Sequence, residues 1–220
     1  MRSFWFIILL ILLAQKIAVC EMEVTYEVFS IPMSQAAKLK RENLTGEESY
    51  QRLLDLAEKS EASQKVWMTA KTRIDQGTTL EEVKEMIFPT EMEPQELPNM
   101  VGTGFSKPFP APVIPLPPTA TSFDTKKTGD ILEVSLKKAD QSLRVKLRYS
   151  KTRLVQLDEY GKGTSRVKMP RFAVQRHSTE ATVVPGKPTL VGTISPPKDL
   201  QTEKEKRVWL SYITVTKSKD

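Results

Sequence analysis

The sequence predicts an α+β protein, with a small strand-helix N-terminal part followed by a mainly antiparallel β-sheet domain. Three observations carry this. Leu143, Val145, Leu147 and Tyr149 alternate with Arg144, Lys146 and Arg148, the period of a half-buried strand. A single clear helical pattern starts at Gly46, near the N terminus. From Phe123 onward, every patterned stretch alternates with period two and is separated from the next by turn residues.

The elements follow in chain order. EVTYEVFSIP, Glu23 to Pro32, alternates over Val24, Tyr26 and Val28 and reads as a strand that Pro32 ends. MSQAAKLKREN is a weak helix or a loop. Thr45 with Glu48 has the capping-box spacing, in which the hydroxyl accepts from the third helical amide and the carboxylate reaches back. Tyr50, Leu53, Leu54 and Ala57 then recur at helical spacing, so Gly46 to about Ser60 is an amphipathic helix. In KVWMTAKTRID, Val66, Met68, Ala70 and Thr72 share one face of a strand. TTLEEVKEMIF is ambiguous: Thr79 and Glu82 repeat the capping-box spacing and favour a short helix, while tertiary context could make residues 79–88 a strand.

Nine of the fifteen prolines lie between Phe88 and Pro118. That run excludes regular helix and a central strand, and reads as a semi-rigid connector. After it, FDTKKTGDILEVSL carries Leu132, Val134 and Leu136 on one face of a strand. Its polar start reads as the entry from the connector, with Gly129 as a flexible corner. Ala139 to Ser142 is a turn, and TRLVQLDEYGKG continues the strand after it into a glycine-punctuated loop. Pro170–Val184 is a long strand bent near His177, Pro185-Gly186-Lys187 a tight turn, PTLVGTI a strand, Lys198–Lys206 a charged loop, and Arg207–Thr216 a closing strand. The expected domains are therefore 1–20, a signal peptide; 21–88, a strand-helix-strand region; 89–118, the connector; 119–216, the β domain; and 217–220, a tail.

MRSFWFIILLILLAQKIAVC has a basic start, an apolar run and a small-residue exit, as in a secretory signal. The run is shorter than the roughly 20 residues a spanning helix needs. Cys20 is the only cysteine. Cleavage after it leaves a chain without a thiol; cleavage before it makes Cys20 a candidate lipidation site. On either route the mature chain forms no internal disulfide.

Charge is divided unevenly. Residues 21–98 carry 16 acidic and 9 basic side chains, whereas residues 99–220 carry 11 acidic and 22 basic. Arg144, Lys146 and Arg148 form a candidate polyanion-contacting face. It lacks interleaved aromatics beyond Tyr149, so no base-stacking platform is indicated, and export argues against nucleic acid.

No site chemistry stands out. His177 is the only histidine, and there is no nucleophile-elbow or phosphate-loop pattern; Gly102 and Gly104 lie among prolines. The acidic pairs Glu47-Glu48, Glu81-Glu82 and Asp158-Glu159 read as solvated faces or loops. No catalytic, metal or cofactor-binding residue is expected, and no cofactor.

The order of the C-terminal pieces is the remaining signal. FDTKKTGDILEVSL, the Leu143–Tyr149 strand, RFAVQRHSTEATVVPGKPTLVGTI and VWLSYITVT follow one another as the strands of a secretin domain do. In this order the chain resembles the C-terminal β domain of bacterial secretins of type II and type III secretion, divergent and truncated, over residues 65–216 and most fully over 119–216. Two parts of the pattern differ: the glycine pair is reduced to Gly192-Thr193, and SPPKDLQTEKEK replaces the V-P-x-L-G-x-I-P segment. The resemblance implies a non-enzymatic envelope protein of the periplasm, outer membrane or cell surface. It would act by protein–protein contact or ring-like self-association, and meet membrane only through a Cys20 lipid or an oligomeric barrel. Two alternatives stay open: a monomeric accessory lipoprotein binding another envelope component, and a hydrolase with an unrecognised carboxylate site.

Overall fold

A computed structural model describes residues 21–93, 118–163, 166–196 and 206–218. Its elements are β1 (Glu21–Pro32), α1 (Met33–Arg41), α2 (Gly46–Glu58), β2 (Ser63–Arg73), β3 (Gly77–Glu93), β4 (Thr119–Ala139), β5 (Ser142–Tyr160), β6 (Val167–Val183), β7 (Thr189–Ile194) and β8 (Arg207–Lys217). They form two four-stranded sheets, ordered β2-β1-β8-β7 and β3-β4-β5-β6. Strand dominates, with two short helices near the N terminus, so the α+β expectation holds.

By its contacts the chain divides into two compact units. The first gathers described residues 21–80, 132–149, 176–196 and 206–218. Thus the N-terminal strands, expected in a region of their own, share one unit with the ends of β4, β5 and β6. Alternation explains why. Val24, Tyr26 and Val28 of β1, with Val66 and Met68 of β2 and Ile213 and Val215 of β8, bury the same face of the first sheet. They meet Leu132, Val134 and Leu136 of β4 and Leu143, Val145, Leu147 and Tyr149 of β5. The tilted rings of Tyr26 and Tyr149, 5.1 Å apart, sit in this layer.

The other face of the first sheet carries Phe29, Ile31, Val208, Leu210 and Tyr212, which the helices cover with Leu39, Leu53 and Leu56. The capping box of α2 is present as the sequence predicts: Glu48 N donates to Thr45 Oγ1 at 3.3 Å and Thr45 N donates to Glu48 Oε2 at 2.9 Å. The Thr45 amide holds the exposed Glu48 carboxyl below its ordinary pKa. Glu27 faces the helices, almost fully buried. Its carboxylate accepts from Tyr50 Oη and Gln64 Nε2, each at 2.8 Å, which offsets the cost of desolvating the charge.

The second unit gathers described residues 81–93, 118–131, 150–163 and 166–175. It consists of the remaining lengths of β3, β4, β5 and β6. Residues 79–88 are strand, as part of β3, not helix. The capping-box spacing there is overridden because β4 supplies β3 with a complete hydrogen-bonding partner. Pro89 is tolerated because β3 is an outer strand of its sheet. The rest of the proline-rich run, up to Pro117, lies outside the described residues, as does most of the charged loop.

Of the two readings open for MSQAAKLKREN, helix holds, as α1. TRLVQLDEY continues β5 as strand through Tyr160, as expected. One further expectation is corrected: FDTKKTG is strand, inside β4, and Gly129 is not a flexible corner. Its φ is +136°, and a Cβ there would lie 2.1 Å from Glu82 O and 2.9 Å from Val83 Cα of β3. The two backbones approach so closely that only glycine fits.

Val145→Asp should remove about 4 kcal/mol or more by burying a charge in the apolar layer. Lys146→Glu, on the exposed face, should change stability by less than about 1 kcal/mol. Equal thermal denaturation of the two would refute this facing. Gly129→Ala should also lower the melting temperature, since backbone, not side chain, must give way.

Candidate interaction surfaces

The exposed face of β5 in the first unit carries Arg144, Lys146 and Arg148, as expected. The structure does not leave them as a free cationic stripe. Arg144 pairs with Glu180 at 3.5 Å and Arg148 with Glu133 at 3.3 Å, all four side chains about half exposed. Such exposed pairs contribute little stability, but they cancel much of the local charge. Lys146 and Arg148 line a shallow depression with Glu133, Ser135 and Thr79. Cys20 lies outside the described residues.

The acidic pairs serve as structure. Glu48 caps α2, and Glu47 pairs with Lys187 at 3.4 Å. Glu81 meets Lys127 at 2.7 Å, Asp158 meets Arg171 at 2.8 Å, and Glu159 meets both Arg166 and Lys168 at 3.3 Å. Among the described residues no group of three His, Cys, Asp or Glu side chains is placed to hold a metal ion. Nor is any described helix long and apolar enough to cross a membrane.

The second unit has a surface that residue-by-residue reading did not anticipate. None of its described residues is buried. Yet Ile87, Phe123, Val155, Leu157, Tyr160 and Val174 are large apolar side chains standing 40–70 % exposed. Across it, Phe88 of β3 and Phe172 of β6 have ring centroids 5.5 Å apart. The hydrogen-bonded order still ends at β3 and β6, so each presents an unpaired edge among the described residues.

Within the first unit, His177 joins the two sheets. Its Nδ1 lies 3.0 Å from Tyr26 Oη, a hydrogen bond whose direction is set by the ring's tautomer. Its Nε2 would lie 2.6 Å from a Cβ on Gly192 of β7, so a larger residue there would have to displace the ring. Ser211 Oγ donates to Gly192 O at 3.1 Å beside it. Burial pushes the Tyr26 phenol above its ordinary pKa and the His177 imidazole below its own. The sequence signal for this contact was present as Gly192 and a lone histidine, but nothing in the chain pairs them.

No family model matches this chain, and no curated protein does. Solved structures with similar backbones include three secretins. The InvG secretin domain β-barrel of the Salmonella SPI-1 injectisome shares 10 % identity at a TM-score of 0.46, over 98 % of this chain and 68 % of that one. The V. cholerae type IV competence pilus secretin PilQ shares 13 % at 0.47, over 100 % and 66 %. The type II secretin GspD of enteropathogenic Escherichia coli shares 11 % at 0.46, over 100 % and 75 %. Values at this level transfer no residue's role to this chain.

The neutral histidine makes stability depend on pH. Its folded pKa is lowered, so the unfolded chain binds the extra proton first as pH falls. Its contribution is complete above the unfolded value of about 6.5 and is lost as pH drops below it. Urea denaturation between about pH 8 and 5 should show wild type losing more stability than His177→Gln. Parallel pH profiles for the two would show that the ring does not titrate in this way.

Proposed function

We propose that this chain is a non-enzymatic, exported envelope protein with a secretin-like β domain, acting by side-by-side self-association into a ring. The observation that carries this reading is the second unit's sheet. It exposes apolar side chains, holds no buried residue among those described, and ends in two unpaired edges. A sheet of this kind has little core to offset the entropy of ordering its strands. Neighbouring copies can supply the missing burial and pair the open edges. The strand order that resembles secretins supports the same reading, and export follows from the signal-like first twenty residues.

Size exclusion with light scattering on the processed chain tests it. An oligomer is expected, and Ile87→Asp combined with Leu157→Asp should weaken association roughly tenfold or more while leaving the first unit folded. A wild-type chain that stays monomeric at high concentration overturns the ring. Mass spectrometry of the mature N terminus then decides the accessory-lipoprotein alternative, which requires a lipid on Cys20.

A further inference from the structure

The edge of the first sheet at β2 has its own chemistry. β2 ends the order β2-β1-β8-β7 and is hydrogen-bonded to β1 alone within it. Two contacts fix which way its backbone groups point. Thr78 Oγ1 donates to Lys71 O at 3.0 Å from the side away from β1. Thr69 Oγ1 and Thr25 Oγ1 approach to 3.2 Å, the close side-chain spacing of a pair that does not exchange backbone hydrogen bonds. Both place the N–H and C=O of Lys71, Thr69 and, by alternation, Trp67 off the sheet edge. Thr78 covers Lys71. Trp67 and Thr69 present an open donor–acceptor row among the described residues.

Among the described residues of the first unit, Trp67 is the most exposed large hydrophobic side chain, at 64 %. It stands on the polar face of an amphipathic strand, where packing does not require an indole. Strand addition takes its affinity from main-chain hydrogen bonds, and Trp is enriched among the residues that dominate binding energy.

Charge selects the occupant. β2 carries Lys65, Lys71 and Arg73, all exposed, and no acid. On its paired side, β1 sets Glu23 opposite Lys71 and Glu21 opposite Arg73. On the open side no described strand does so. Pairing β2 with β2 of another copy would bring like cations together, which opposes it.

We infer that the β2 edge is a strand-addition site for an extended acidic segment of a partner protein, anchored on Trp67. This rests on the protein-contact reading above but uses a different surface, so either can fail without the other.

Amide hydrogen exchange on the full processed chain tests it. The probe is a ten-residue peptide alternating Glu with Val, against its counterpart with Lys in place of Glu. Exchange at Trp67 and Thr69 should slow about tenfold or more with the acidic peptide and not with the basic one. Trp67→Ala, a surface change that leaves the fold intact, should weaken binding of the acidic peptide by about tenfold. Unchanged exchange with the acidic peptide overturns the proposal, as does equal protection by both peptides. Protection that appears without peptide and grows with chain concentration also overturns it, because the occupant is then a second copy.

Discussion

β1 is paired along both edges and buried on both faces, and the first unit is arranged around that constraint. It pairs with β2 on one side and β8 on the other, while the second sheet covers one face and the helices the other. An N-terminal strand held this way binds the end of the chain to its beginning. Arg207 of β8 reaches the Ser30 hydroxyl and carbonyl across 177 residues. Contacts so distant in sequence must be closed against loop entropy, which slows folding.

Elements with a buried face were legible in the sequence. Val66 to Thr72, Leu132 to Leu136 and Leu143 to Tyr149 alternate because one side meets a core, and the structure buries those residues. The cap of α2 was legible because Thr45 and Glu48 act locally. Residues 79–88 were not, since the pairing of β3 with β4 is non-local and leaves no periodic trace. The polar start of β4 failed for a related reason: a strand exposed on both faces has no alternation to read. The expected basic stripe was half right. Its residues share a face, but Glu133 and Glu180 come from other strands. Trp67 could have been found, as the one aromatic on the polar side of its strand.

The two units thus differ in what holds them. In the first, two apolar layers fix the packing; in the second, backbone pairing, surface ion pairs and one pair of phenylalanine rings do so. The proposed self-association draws on the second unit, whose described apolar side chains stand exposed, whereas the proposed β2 site draws on an edge of the well-packed first unit.

Gly129 has a consequence for that less buried sheet. Strand register is normally enforced by a buried face, since sliding by one residue turns every apolar side chain outward. Among its described residues the second unit has no such face, and the buried face of β4 lies further along, at Leu132, Val134 and Leu136. Yet moving β4 by one position would bring the Cβ of Thr128 or Asp130 to the Glu82 carbonyl, where there is no room for one. The missing methyl acts as a keyway, so shape at one point sets the alignment where the strand has no buried face of its own.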